Sequence, residues 1–249
     1  RQGKLIRTEK ISNTEFHHPK VFFPTYPFEW CPEMLYSAAE MTLEIAAGVL
    51  KDGYGLKDAS ARNILFEGKN PVFVDVLSFE KRHPNDATWL PFEQFLKNFI
   101  YPLALSRTNR SSLRSYFFGE RDGKNPTEVA RVMGIKAYSP RYFALVAIPH
   151  LLYQWSMKRK KTGEKARGER FATTRAEAQF ILGILLKHLR RGLERVRPVT
   201  RNKTPWSLYN ERHCPYSPDA TNAKESYVKA TIERLAPRTV LDLGCNDGK

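Results

Sequence analysis

Apolar residues recur at helical spacing from Pro32 onward: Leu35, Ala38, Ala39, Thr42, Leu43, Ala46 and Leu50 share one stripe. The stripe predicts a helix of roughly 18 residues ending near Gly53. Pro32 at its first position with Glu33 beside it suits a helix start. Proline's missing N–H is not needed there, and an acid favours the positive end of the helix dipole. The period then changes. Residues 55–63 read as a loop, Ile64-Leu65-Phe66 as a short strand, 67–71 as turn chemistry and 72–76 as a second strand, together a small hairpin. From Pro91 the helical period returns, with Phe92, Phe95, Leu96, Phe99 and Ile100 along one side. Further helices are expected at 111–118, 126–133 and 140–155. An amphipathic helix is expected at 174–197, with Phe180, Ile181, Ile184, Leu185, His188, Leu189 and Leu193 as its apolar side. A last helix is expected at 223–235, packed beside a strand that starts at Thr239.

The flanks are less regular. Residues 1–19 are polar with a short apolar patch, which reads as a strand or arm of something further upstream. Residues 20–32 are rich in aromatics and proline, 157–170 read as a loop, and 203–218 as a linker carrying Trp206, Tyr209 and Tyr216. Trp30 and Trp206, both near proline, are expected to pin loops against the core. The class is α+β in three segments: 1–156 as a helical region around the hairpin, 157–203 as basic loop and amphipathic helix, and 204–249 as linker and the start of a new domain.

Composition sharpens this picture. A chain of 249 residues with 41% hydrophobic residues, 15 Phe and 11 Tyr can bury a sizeable core. The formal charge of +15 is concentrated: residues 157–203 hold 15 Lys or Arg against four Glu. Such a block either attracts acidic partners or is a solvated linker followed by the wet face of a helix. Nucleic-acid binding usually adds aromatic stacking platforms, and 158–170 contain no aromatic residue; a nucleic-acid partner is not expected. Cys31, Cys214 and Cys245 show neither metal nor disulfide spacing, which points to a reducing compartment, and no signal peptide is visible. The longest apolar stretch, 142–155, is too short to span a bilayer and contains Pro149 and His150. The expected location is the cytoplasm, and no metal site is expected from the six scattered histidines.

The chemistry lies in two places. The closing residues Val240-Leu-Asp-Leu-Gly-Cys-Asn-Asp-Gly-Lys249 form an apolar strand, 240–243, running into a glycine turn. Gly244 and Gly248 let a backbone turn tightly and approach a ligand. This tail resembles motif I of the class I S-adenosylmethionine-dependent methyltransferases. Asp242, Gly244 and Gly248 match the pattern, and Asn246, a residue that tolerates positive φ, holds the middle glycine's place. The resemblance implies a loop facing the methionine part of S-adenosylmethionine, with Asp242 orienting loop amides or the cofactor's amino group. It also implies that the acidic ribose-binding residue follows Lys249, so that these residues are the front portion of a methyltransferase and bind cofactor poorly alone. A glycine-ended strand with no ligand is the alternative.

The second place is the loop at Asp58. Asn63 follows five residues later, and Asp75 lies in the second hairpin strand. This spacing resembles the catalytic loop of protein kinases and small-molecule phosphotransferases, and the helix–loop–hairpin order resembles their lower lobe. The resemblance implies Asp58 as base, with Asn63 and Asp75 holding Mg²⁺ on ATP, since hard cations take oxygen ligands. Leu56 stands where those enzymes commonly carry His, and Asp75 is followed by Val76-Leu77-Ser78 without glycine. No glycine-rich phosphate loop precedes them. Three readings stay open: residues that fix loops through backbone bonds, a substrate- or phosphate-binding cleft with Lys57, Asp58, Asn63 and Asp75 around it, and phosphoryl transfer.

The two signatures together, with the blocks Tyr26-Pro-Phe-Glu-Trp-Cys-Pro-Glu-Met-Leu35 and Pro71-Val-Phe-Val-Asp75 and with Ser78-Phe-Glu80, look like bacterial methyltransferases related to a nodulation protein. In that family a kinase-like front region precedes a class I methyltransferase domain. The acceptor that the resemblance implies is a glycan or another small molecule.

Overall fold

The computed structural model describes residues 3–108, 110–120, 122–161, 171–199 and 217–241, without the side chains of 156–161. It divides into two units, Arg1–Pro198 and Val199–Lys249. The class is mixed helix with small sheets.

In the first unit, helix α1 (Pro32–Lys51) begins at the expected proline and ends where Asp52 and Gly53 turn the chain. Gly53 has φ +82°, a conformation glycine adopts without strain. Leu35, Ala38, Ala39, Leu43 and Ala46 are all buried, with Thr42 returning its hydroxyl to Ala38 O at 2.8 Å. Around α1 lie three small antiparallel pairs. Strands β1 (Glu9–Lys10) and β2 (Phe16–His17) form an exposed hairpin. Strand β3 (Tyr54–Leu56) pairs with β6 (Phe79–Lys81), and β4 (Ile64–Glu67) with β5 (Asn70–Phe73). The expected hairpin is therefore present, although its second strand stops at Phe73, not Val76. Residues 76–78 instead form a 3₁₀ turn. The N-terminal arm docks on this hairpin: Ile6 N donates to Phe73 O at 2.9 Å, and Phe73 N to Lys4 O at 2.8 Å. Trp30 is buried, donates Nε1 to Thr25 Oγ1 at 3.0 Å and meets the Phe66 ring edge-on at 5.1 Å, so it does pin its loop.

The helices α2 (Phe92–Phe95) and α3 (Tyr101–Arg107) are one rod joined by a π turn at Leu96–Ile100. A second π turn, Phe143–Ala147, leads into α6 (Ile148–Lys161). Each precedes a proline by two residues, Pro102 and Pro149. Proline has no N–H to give and crowds the carbonyl four residues back. The ladder adjusts there by widening: Tyr101 N donates to Leu96 O and Ile148 N to Phe143 O, five residues away. Between these rods stand α4 (Leu113–Gly119) and α5 (Pro126–Met133), the latter opened by a capping box of Asn125 and Glu128. The expected loop at 157 is still helical as far as Lys161, and the rest of that segment lies outside the described residues.

Helix α7 (Arg175–Arg195) packs on α1 within this same unit. Its buried face differs from the expected one. Ala178, Leu182, Leu186, Leu189, Gly192 and Leu193 face inward, whereas Phe180, Ile181 and Ile184 are exposed. The helix is apolar around much of its girth, and Gly192 lies where packing is tightest: a Cβ there would meet Leu145 Cδ2 at 2.6 Å. Its C-terminal end is tied to α1 by Tyr36, whose hydroxyl donates to Glu194 Oε1 at 2.8 Å. Arg197 grips the same carboxylate with two bonds of 2.9 and 3.0 Å and lies 4.6 Å over the Tyr36 ring. These bonds hold the Glu194 carboxyl below its ordinary pKa.

In the second unit, helix α8 (Pro218–Leu235) is capped by the Ser217 hydroxyl. It carries an apolar stripe of Val228, Ile232 and Leu235, and none of its residues is buried. The strand expected to cover it is not formed where it is described: Val240 and Leu241 lie exposed outside any strand.

Candidate functional site

Residues 57–63 leave β3 and cross the N-terminal end of the α2–α3 rod. A loop with unpaired backbone groups in a partly buried place is costly, and the rod's side chains supply the partners. Gln94 Oε1 accepts from Ala59 N at 2.7 Å, and Asn98 Oδ1 accepts from Ala61 N at 3.2 Å. Asn98 is only 2% exposed. Its Nδ2 donates to Gln94 O at 3.1 Å, which fixes the amide's orientation. Residues 94 and 98 are one helical turn apart and so present their amides to the same stretch of loop. Local bonds complete the shape: Ser60 N donates to Asp58 Oδ1 at 2.8 Å, and Arg62 N to Ser60 Oγ at 3.2 Å.

Asp75 stands in a different setting. Its Oδ1 accepts from Leu77 N at 3.1 Å, capping the 3₁₀ turn. Its Oδ2 accepts from the Ser78 hydroxyl at 2.5 Å and from Asn63 Nδ2 at 3.4 Å. Asn63 Nδ2 also reaches Ser78 Oγ at 3.3 Å, while Asn63 O receives Val74 N at 2.8 Å. The spacing thus does bring Asn63 and Asp75 together, across the β4–β5 hairpin. Both carboxylate oxygens of Asp75 already serve protein donors. Among the described residues no group of three or more His, Cys, Asp or Glu converges as a metal site.

Asp58 and Asn63 open onto a polar cleft of about 450 Å³ between the loop and the rod. Gln94, Lys97, Asn98 and Asp122 form its other side, and Lys97 is paired with Glu93 at 2.7 Å. Lys57 and Asp75 are not part of its lining. Lys57 is exposed, and its backbone N–H extends the β3–β6 ladder to Ser78 O at 2.9 Å. The far wall is held by Tyr116, whose hydroxyl donates to Lys97 O at 2.8 Å and accepts from Lys124 N at 3.0 Å. Burial raises the Tyr116 pKa well above the ordinary phenol value. Gly123 makes this contact possible: its φ is +75°, and a Cβ there would lie 2.8 Å from Lys97 O.

Gln94, Asn98 and Tyr116 are absent from the sequence-based candidates, because their partners lie many residues away and no local pattern marks them. Arg82 is a further one. Its guanidinium, nearly buried, bonds Asp86 Oδ2 and Asp86 O at 2.9 Å and Thr88 O at 2.6 Å, and so shapes the chain that leads into the rod. The tail residues Asp242, Gly244, Asn246 and Gly248 lie outside the described residues, as do Trp206 and the linker up to residue 216. No described helix is long and apolar enough to cross a membrane.

Comparison with known proteins gives one relative to report. The chain is 25% identical over 247 residues to Nodulation protein NoeA of Rhizobium meliloti (strain 1021), across 99% of this chain and 49% of NoeA. The chain thus spans about half the length of the curated relative it matches. No family model matches the chain, and no solved structure matches it.

Proposed function

We propose that the Arg1–Pro198 unit is a kinase-like binding module that presents a polar acceptor, a small molecule or glycan, to an S-adenosylmethionine-dependent methyltransferase domain opened by residues 204–249. The observation that carries the module reading is the engagement of Asp75. A phosphotransferase needs this carboxylate free for Mg²⁺ on the nucleotide phosphates, whereas here it caps a turn and accepts from Ser78 and Asn63. Asp58 commits one oxygen to Ser60 N and turns toward the cleft, and Arg62 and Asp122 add charges of both signs at its lining. Such a set suits hydroxyls and amides better than a polyphosphate.

The methyltransferase half of the reading rests on the resemblance of the tail to motif I. It is supported by the exposed apolar stripe on α8, which suits a helix made to cover a sheet, and by the greater length of NoeA. Asp242, Gly244, Asn246 and Gly248 would shape the cofactor loop. Any chemistry at the methyl group would be supplied by the bound cofactor.

Two measurements test the two halves separately. Calorimetry with S-adenosylhomocysteine on a chain extended by about 150 residues, a typical domain length, should give saturable heat; none at millimolar ligand removes the methyltransferase. Adding Mg²⁺ and ATP should leave the melting temperature unchanged. A stabilisation that vanishes in Asp75→Ala would instead identify a working nucleotide site.

A further inference from the structure

A second cavity, of about 600 Å³, lies between α1 and α7 and shares no residue with the polar cleft. Its floor is apolar: Leu43, Leu182 and Leu186 belong to the buried core, with Ala47 and Leu50 half-buried beside them. Its charged lining is Lys51, Lys187 and Arg190, with no acid among the described residues that line it. None of the three cations forms an ion pair among the described residues. Arg190 lies near enough to Glu194 to lower its pKa, but that carboxylate is already gripped by Arg197.

Two helix-interior glycines, Gly48 in α1 and Gly183 in α7, have no close neighbour that demands glycine, and of these only Gly183 lines the cavity. Gly183 sits mid-helix in α7, lines the cavity, and has nothing within 4 Å of where a Cβ would be. Glycine in a helix interior costs about 1 kcal/mol against alanine, and no close approach demands it here, unlike Gly192. Its effect is to keep the floor of the groove open.

We propose that this groove binds a single-chain anionic amphiphile, a long-chain fatty carboxylate, with the alkyl chain on the leucine floor and the head group among Lys51, Lys187 and Arg190. The volume falls in the small-ligand range. Burial of methylenes supplies the affinity, and the all-cationic rim selects the sign of the head group. The site is independent of the polar cleft and of the methyltransferase reading.

The test uses the 249-residue chain and a dansylated undecanoate probe held below its micellar concentration. Saturable fluorescence enhancement is expected, displaced by dodecanoate but not by dodecyltrimethylammonium. Gly183→Leu, which fills the floor, and the double variant Lys187→Glu with Arg190→Glu, which inverts the rim, should each weaken binding by at least about tenfold. Circular dichroism and melting temperature verify the fold, and the surface double variant serves should the leucine variant not fold. Absence of saturable binding, equal displacement by the cationic detergent, or parental affinity in the variants overturns the proposal. A molar mass by light scattering that falls in Gly183→Leu, without probe binding to the parent, overturns it in favour of a contact between copies of the chain.

Discussion

The polar cleft and the apolar groove belong to one structural unit and are built by opposite means. The cleft is made of bonds. Gln94 and Asn98 hold the loop, Tyr116 holds the far wall, and Asp75 locks the turn behind it. The groove is made of space, kept open by Gly183 and floored by leucines that the core already needs. In the cleft Asp58, Ser60, Gln94 and Asn98 hold backbone N–H groups and Lys97 pairs with Glu93, so much of the polar lining is already engaged. In the groove the cations form no ion pair among the described residues, so their choice is open to a ligand. A residue type that looks chemical in sequence is therefore often architectural, and a site can lie where no motif stands.

The largest expected effect strikes the cleft's foundation. Asn98→Ala removes a buried amide and strands the Ala61 N–H. The unmet backbone donor and the cavity together should cost about 3 kcal/mol in urea unfolding. Asn98→Asp would be a poor control because it buries a charge, so Gln94→Ala is the better companion, with a loss of about 1 to 2 kcal/mol. A loss under about 1 kcal/mol for Asn98→Ala would mean that the loop holds itself and that the rod is incidental.

Alkali separates the two sites next. Burial raises the pKa of both Tyr101 and Tyr116, and Tyr101's hydroxyl has no hydrogen-bond partner among the described residues. A folded-state pKa above the unfolded value means stability that is fully present below about pH 10 and lost as pH rises past it, because only the unfolded chain then releases the proton. One unit above that point each tyrosine should cost about 1.4 kcal/mol. Tyr116→Phe should lower stability at neutral pH yet flatten the alkaline limb. A limb unchanged by that substitution would remove Tyr116 from the account. No tyrosine lines the groove, so substitutions there should leave the contribution of these two tyrosines unchanged.

What could be read in the sequence follows from how local each cause is. Helix α1, the β4–β5 hairpin and α5 depend on neighbours within a few residues: a proline start, a turn, an Asn–Glu capping box. The Asn63–Asp75 contact was legible as well, since a short hairpin fixes its distance. The face of α7 was not, because apolar residues run almost all the way round it and periodicity cannot say which row meets α1. Small residues do not resolve it either, because Ala178 and Gly192 are buried while Ala176 and Gly183 are exposed. Gln94 and Asn98 act on residues 35 and 37 positions away, beyond any local pattern. The groove was invisible for the same reason, since its floor comes from two helices far apart in the chain.

Asp75 offers a smaller and more diagnostic effect. Asp75→Ala removes the cap on Leu77 N and the acceptor of the Ser78 hydroxyl, worth about 1 to 2 kcal/mol together. Asp75→Asn keeps a capping oxygen and should lose less. If the carboxylate were a free metal ligand, neither change would destabilise the chain in the absence of metal. Thermal melts of the two variants without nucleotide decide between cap and ligand.

The smallest effects have opposite signs and test the contrast in α7 itself. Gly183→Ala adds a Cβ into open space, so the gain in helix propensity stands alone and the chain should be stabilised by about 0.5 to 1 kcal/mol. Gly192→Ala makes the same gain but drives its Cβ into Leu145 Cδ2, a contact in a buried region. Overpacking of that kind costs about 1 to 3 kcal/mol, so the net change should be a small destabilisation. Two melts of single-methyl variants on one helix therefore report which glycine the fold requires. Destabilisation by Gly183→Ala would show that this position is packed after all, and the groove would lose the open space above its leucine floor.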